Sequence, residues 1–466
     1  MKPSRINQIG NVGPASRPAS SAPAKSARAL QASRSARPLS HRAPDAKGTA
    51  RPTASDDTLL SRRRFLYGAL GVGALAAAAV GAGVAITAQG DQDDGAISAL
   101  SVPTSSVTTL DALTLVEDAT TLMRETANVE LPLGSLVWAS SDTVAACLIP
   151  TETGSPLAQA SLISLESAAV TTVLEQAAGQ IEGFEIYDVR ASEQGIVWTE
   201  ANILDGVWRV YTATLTGNRI GSPVLADSGD PTTQTPSIAA VGPFAFWQVN
   251  PQATDKSNTI ESTVRRTRLG AADVETVASS PRRLATPLYA LADAVVFSQR
   301  VTGTTSYQLT KMNAESGEVE DTLVLPRGMT PLHAAYGKSG FMFAFESIYN
   351  YGEGISNLGT YAPHSTTVPA DYGAVPWFCF GRTPTAAPAW CGRYLMVKSS
   401  YSVCGIDLDA GTYFALDVDD GADDYGEYLA STGQGNTIVT FTSIDYQPVG
   451  SDTVKTCRVK VWRPVA

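Results

Sequence analysis

The sequence GIVWTEANILDGVWRVYTATL, residues 195–215, holds two short apolar stretches with turn residues between them. The second stretch, VWRVYTATL, alternates apolar and polar side chains with period two, the pattern of a strand half buried in a sheet. The same shape recurs along the chain: GSLVWAS at Gly134, GPFAFWQ at Gly242, DAVVFSQ at Asp293, GFMFAFE at Gly340, GRYLMVK at Gly392 and NTIVTFTS at Asn436. Taking Trp138, Trp198, Phe246, Phe297, Phe343, Met396 and Thr440 as equivalent gives spacings of 60, 48, 51, 46, 53 and 44. A second alternating stretch follows each, such as TSYQLTKM from Thr305, and a third apolar stretch closes the unit, such as DTLVLP from Asp321.

Four short strands repeated at roughly 45 to 50 residues are the signature of a β-propeller, because one four-stranded blade cannot bury its faces alone. The expected fold class is all-β: a seven-bladed β-propeller, or six-bladed if the first unit merges into the closure. Closure pairs the C-terminal strand near Val459 and Trp462 with a strand before Leu136. Residues 161–178 read as strands through their Thr and Val content, and residues 108–126 keep a helix alternative. The pattern resembles exported bacterial propellers of the WD40-like, TolB-like and quinoprotein-like kind, over most of residues 110–466. There is no repeated Trp-Asp and no kelch Gly-Gly, so the resemblance implies architecture and no active site.

The net charge of −11 splits unevenly. Residues 1–64 hold 13 Lys and Arg against Asp45, Asp56 and Asp57, a net of +10, and the rest carries −21. The first 64 residues contain 12 Ala, 10 Ser and 7 Pro with no Phe, Tyr or Trp, too little apolar surface to offset ordering entropy. They read as disordered. The acidic body repels phosphate and the basic part lacks stacking aromatics, so nucleic acid is excluded as a partner. The domains read as a basic tail over 1–60, a signal with one apolar helix over 61–90, a linker over 91–110 and the propeller over 111–466.

Between tail and body lies SRRRFLYGALGVGALAAAAVGAGVAITAQG, residues 61–90. It resembles the bacterial twin-arginine (Tat) export signal through Ser61, Arg62, Arg63, Phe65 and Leu66, with Tyr67 where that signal commonly has Lys. Residues 65–88 carry no charge and are long enough to span a bilayer, yet their Ala and Gly content makes them only mildly hydrophobic. The resemblance implies the Tat translocase as partner and membrane contact through residues 65–88. The basic flank holds the N-terminal side in the cytoplasm, so the body lies outside the cytoplasm. Ala88-Gln89-Gly90 is a small-x-small cleavage site. Cleavage near Gly90 releases the body; an uncleaved helix anchors it.

Cys147, Cys379, Cys391, Cys404 and Cys457 all lie in the exported part, where thiols tend to pair. One bridge among Cys379, Cys391 and Cys404, and one between Cys147 and Cys457 across the closure, are the candidate disulfides; the alternative is that most of the five are buried, unreactive small hydrophobes. His333 and His364 are the only histidines after residue 90, which excludes a multi-His metal site. There is no Gly-x-Ser-x-Gly, no phosphate loop and no His-Glu-x-x-His. The acidic run DVDDGADDYGE, residues 417–427, departs from the EF-hand pattern, and a solvated acidic loop is its simplest reading. Calcium at Asp417, Asp419, Asp423 or Asp424 is the alternative; no motif requires a cofactor. The long fifth unit carries Tyr349, Tyr351, Glu353, Tyr361, His364 and Trp377, rigid groups suited to a glycan or an envelope protein if they are not packed between blades.

These residues lead to an exported propeller that binds or scaffolds at the cell envelope, with no catalytic motif. The rivals are a propeller-type lyase, lactonase or glycan hydrolase using channel carboxylates, and a signal-anchored sensor.

Overall fold

The computed structural model describes residues 107–217, 219–252, 261–325, 330–338, 340–345, 357–360, 377–379, 386–398, 401–446 and 452–465. At residues 107, 110, 343–345, 357–360 and 377–379 only the backbone is described. The basic tail, the signal with its apolar segment and most of the linker fall outside these residues. Among the described residues there is no α-helix, only three single-turn 3-10 segments, and no helix long and apolar enough to cross a membrane.

The strands fall into seven sheets. Sheet 1 is Leu136–Ala139, Val144–Pro150, Ala158–Ser164 and Val170–Leu174. Sheet 2 runs Glu185–Ser192, Gly195–Asn202 and Val207–Thr216, with Arg219–Ile220 and Val224–Gly229 beyond. Sheet 3 is Ser237–Val241, Phe244–Val249, Ser262–Arg268 and Glu275–Ser280. Sheet 4 is Tyr289–Ala290, Ala294–Arg300, Tyr307–Asn313 and Val319–Val324. Sheet 5 is Pro331–Gly337, Gly340–Phe345, Asn357–Thr360 and Trp377–Cys379. Sheet 6 is Ala389–Cys391, Tyr394–Lys398, Val403–Asp407 and Thr412–Ala415. Each of these is an antiparallel meander, so strand direction alternates outward from the first strand.

Sheet 7 differs in origin. Its strands Ala422–Leu429, Ile438–Tyr446 and Val454–Pro464 are completed by Met123–Pro132 from the other end of the chain. Val129 pairs with Val459 and Leu131 with Cys457 in that seam. Each sheet packs on the next, and sheet 7 packs on sheet 1. Buried apolar clusters fill these interfaces: Val129, Cys147, Phe441 and Val459 between sheets 7 and 1, and Trp208, Trp247 and Ile238 between sheets 2 and 3. The architecture is propeller-like.

Three details differ from the sequence reading. Trp138 lies on the first strand of its sheet, whereas Trp198 lies on the second. The equivalent second strand begins at Val144, and from 144 to 195 the spacing is 51 in place of 60. That strand hides from a search for aromatics because its interface takes small side chains, Ala145, Ala146 and Cys147, all fully buried. Residues 108–126 form no α-helix. Strand Val107–Thr109, inside the expected linker, instead pairs in parallel with Trp377–Cys379 of sheet 5, and Thr114–Leu115 pairs in parallel with sheet 6. Residues 161–178 contain strands, as their β-branched content requires.

Candidate functional site

First strands of neighbouring sheets contact one another, as Glu185–Ser192 with Ser237–Val241 and Pro331–Gly337 with Ala389–Cys391. Ala139, Ala191, Ala239, Ala290, Ala334 and Ala389 of these first strands are buried in the apolar clusters between neighbouring sheets. The connection over residues 430–436 crosses the same region. Ala139 N–H donates to Ala430 O at 3.0 Å and Thr432 N–H donates to Ala139 O at 2.9 Å. Trp390 N–H donates to Gly433 O at 2.9 Å, and Gly392 N–H to Gly435 O at 2.8 Å. The Tyr289 hydroxyl, from sheet 4, donates to Pro388 O at 2.6 Å and lies 3.4 Å from Gly433 O. One segment of sheet 7 therefore touches sheets 1, 4 and 6. Gly433 is required for this: its φ is +83°, and a Cβ there would sit 2.9 Å from Ala290 O. The nearby Asp142 carboxylate accepts Asn436 N–H at 3.0 Å with both oxygens.

The acidic run lies beside this segment. Between Ala422, opposite Ile444, and Glu427, opposite Thr442, the register shifts, so residues 423–426 bulge from the first strand of sheet 7. Asp423 Oδ1 accepts the N–H groups of Tyr425 at 2.9 Å and Gly426 at 3.1 Å. The Lys398 ammonium, from sheet 6, donates to Tyr401 O at 2.9 Å and to Tyr425 O. Tyr425 stands 66% exposed at the tip, with Tyr401 and Tyr446 partly exposed nearby. Behind the bulge, Lys460 Nζ pairs with Asp419 at 3.0 Å and donates to Asp417 O at 3.2 Å; Arg458 lies 3.6 Å from Asp419. Glu427 is fully buried and accepts the Thr442 hydroxyl. Burial raises its pKa most; Thr440, Thr442 and Lys460 oppose that shift. Burial likewise raises Asp423.

The expected calcium ligands are thus not gathered around one cation. Asp419 faces Lys460 and Arg458, Asp423 folds onto its own backbone, Asp417 contributes its carbonyl, and Asp424 is exposed. Among the described residues no three His, Cys, Asp or Glu side chains are placed to share a metal ion. Sequence reasoning missed Lys398, Tyr401, Tyr425 and Glu427. The signal was Gly426 inside a strand pattern, which marks a bulge.

Lys398 gives the site a pH dependence. Burial lowers its pKa from 10.5 to about 8. Below pH 8 the buried ammonium costs stability in full. Between 8 and 10.5 the folded chain has lost a proton that the unfolded chain keeps, so this contribution rises with pH, by about 3 kcal/mol. Subtracting the stability of Lys398→Met from that of the parent, by urea unfolding at pH 7.5 and pH 10, isolates the rise. Equal pH dependence in both proteins refutes it.

The four cysteines with described side chains, Cys147, Cys391, Cys404 and Cys457, are free thiols. Closure does bring Cys147 and Cys457 into one apolar cluster, but no bond joins them. Each thiol points at a carbonyl: Cys147 Sγ at Ser161 O, 3.4 Å away, and Cys457 Sγ at Ser135 O, 3.7 Å away. Nor are Cys391 and Cys404 bridged; at Cys379 only the backbone is described. Burial pushes Cys147 and Cys391 up to about 12 and Cys404 to about 11, so none is a thiolate near neutrality. Maleimide at pH 7 is expected to leave these four unlabelled in the native protein and to label all four in guanidinium; rapid native labelling of Cys147 or Cys457 contradicts this packing. Tyr349, Tyr351, Glu353, Tyr361 and His364 lie outside the described residues. Trp377 lies in a strand described by its backbone alone.

No protein-family model matches the chain, and no curated protein sequence matches it. Among solved structures, a prolyl endopeptidase matches at 11% identity, over 72% of this chain and 46% of that one, with a TM-score of 0.42. A puromycin hydrolase in complex with PGG matches at 13% identity, over 69% and 51%, with a TM-score of 0.42. The Dos1 propeller matches at 9% identity, over 72% and 95%, with a TM-score of 0.37. The chain spans about half the length of those two enzymes. Likenesses this distant carry no argument about activity.

Proposed function

We propose that the chain is an exported seven-bladed β-propeller that acts as a binding or scaffolding module at the cell envelope, delivered already folded by the Tat translocase. What supports the binding reading is the connection over residues 430–436, which among the described residues hydrogen-bonds across the first strands of sheets 1, 4 and 6. A channel hydrolase or lyase needs a cavity with positioned acids there. The export reading rests on Ser61, Arg62, Arg63, Phe65 and Leu66 ahead of the uncharged run, and on the contrast between a +10 flank and a −21 body.

Changing Arg62 and Arg63 together to Lys is expected to stop translocation, leaving the protein in the cytoplasm by cell fractionation. Unaltered export of the variant refutes the Tat assignment. Sequencing the N-terminus of the exported protein separates the two forms of the proposal: a start near Asp91 means release, and retention of Arg62 means a signal anchor.

A further inference from the structure

Two connections meet beside sheet 4. Residues 230–236 lead from sheet 2 to sheet 3, and residues 281–288 lead from sheet 3 to sheet 4. Asn250 ties the two together: its carbonyl accepts Gln234 N–H at 2.9 Å, and its Oδ1 accepts Leu284 N–H at 3.1 Å. The second connection is also pinned to the end of strand Ala294–Arg300. Ser298 Oγ accepts Ala285 N–H at 3.0 Å and Thr286 N–H at 2.9 Å, and Ser280 Oγ accepts Arg300 N–H at 3.0 Å. Arg283 therefore lies between two anchors, Ser280 and Ala285, on the strand end that carries Arg300.

Both guanidinium groups act on Tyr307, the cross-strand partner of Arg300. Arg300 lies over the Tyr307 ring, 4.0 Å from its centroid, and Arg283 is close enough to the Tyr307 phenol for an electrostatic interaction. Arg283 Nη2 donates to Gln234 Oε1 at 2.6 Å, and Arg300 Nη1 donates to Thr305 O.

What these arginines lack is a counter-charge. On sheet 3, Arg265, Arg266 and Arg268 pair with Asp227, Glu275 and Glu315. Among the described residues no carboxylate pairs with Arg283, with Arg300 or with exposed Arg282 beside them in the chain, although the body carries a net charge of −21. The acid of the first connection, Asp230, is turned onto Thr232 N–H at 2.9 Å. Arg283 and Arg300 are half-buried, and burial lowers the pKa of Arg283. Arg300 Nε is buried with no acceptor. Burying cations without an opposite charge is costly, and here the surrounding backbone holds them in place regardless. The side-chain groups with bonds still to make are donors: the two guanidinium forks and Gln234 Nε2. A fixed, donor-only, cationic arrangement is the complement of an oxyanion, which a guanidinium fork meets with two parallel hydrogen bonds.

We propose that Arg283, Arg300 and Gln234, with Arg282 next in the chain, form a binding site for an oxyanion group, the phosphate or carboxylate of an acidic ligand. The proposal names the ligand chemistry of the binding module and rests on that reading; it uses neither the export signal nor the bulge at Tyr425.

The test titrates the full chain at pH 7.5 with potassium phosphate, potassium acetate or potassium chloride at matched ionic strength and follows the melting temperature, which a ligand of the folded state raises. Phosphate, acetate or both are expected to raise it above the chloride value in the parent, with an affinity about tenfold or more above that of R283Q/R300Q. A response to phosphate alone assigns a phosphate group, and a response to acetate assigns a carboxylate. The basic tail is common to both proteins, so its own anion binding cancels in the comparison. R283K/R300K keeps both charges and removes both forks; it serves where the Gln variant does not fold and is expected to bind about threefold or more weakly than the parent. Equal responses in parent and variants overturn the inference. So does a rise with chloride that matches the other two salts, which means that diffuse charge alone is read. Failure here with intact Tat dependence leaves the export reading standing.

Discussion

A chain that begins at Leu133 is expected to show no cooperative thermal unfolding, whereas one that begins at Val107 melts as a single unit. Besides the short parallel strands Val107–Thr109 and Thr114–Leu115, the shorter chain lacks Met123–Pro132, the outermost strand of sheet 7. Removing it strips the pairing of Val454–Pro464 along that edge and leaves the edge open. It also removes Met123, Val129 and Leu131, all buried against sheets 6, 7 and 1. At about 1.5–3 kcal/mol for each such side chain, the loss is about 5–9 kcal/mol before any hydrogen bond is counted. Net stabilities are about 5–15 kcal/mol, so the ring does not survive. Circular dichroism melts of the two truncations decide it; a cooperative transition in the shorter chain shows that closure by this strand is dispensable.

Glu200→Ala is expected to be strongly destabilising, costing about 3–5 kcal/mol. Three donors converge on that carboxylate in the interior, and alanine leaves all three without an acceptor. Glu200→Gln keeps the shape and an acceptor oxygen but turns an amide toward the remaining donors, so an intermediate loss is expected. Urea midpoints of the three proteins provide the measurement. A Glu200→Ala midpoint equal to the parent's shows that water satisfies those donors.

The strands of sheets 2, 3, 4 and 6 were legible because each second strand announces itself by a compact apolar run ending near an aromatic or Met396. Sheet 1 was misaligned by its Trp138, since the interface that Val144–Pro150 enters selects alanine and cysteine, which leave no aromatic signal. The short parallel strands at Val107 and Thr114 left no period at all; they exist because the edges of sheets 5 and 6 were open to pairing. The acidic run was visible as charge, yet its chemistry depends on Lys398, Arg458 and Lys460, which lie at least 19 residues away along the chain and arrive on other strands.

Period-two alternation and a repeat of nearly constant length are local properties, so the sequence by itself determined the all-β class, the meander unit and the partner strand that joins the two ends. The same holds for the division of charge between a basic flank and an acidic body, which is written in the order of residues. Which side chains meet is a nonlocal matter. Only the tertiary structure decided that residues 430–436 bind the first strands of sheets 1, 4 and 6 and that Lys460 pairs with Asp419. It also decided that two cysteines in one cluster remain apart. Each of these turns on groups from distant segments, whose distances are set by the packing of whole sheets and by no spacing along the chain.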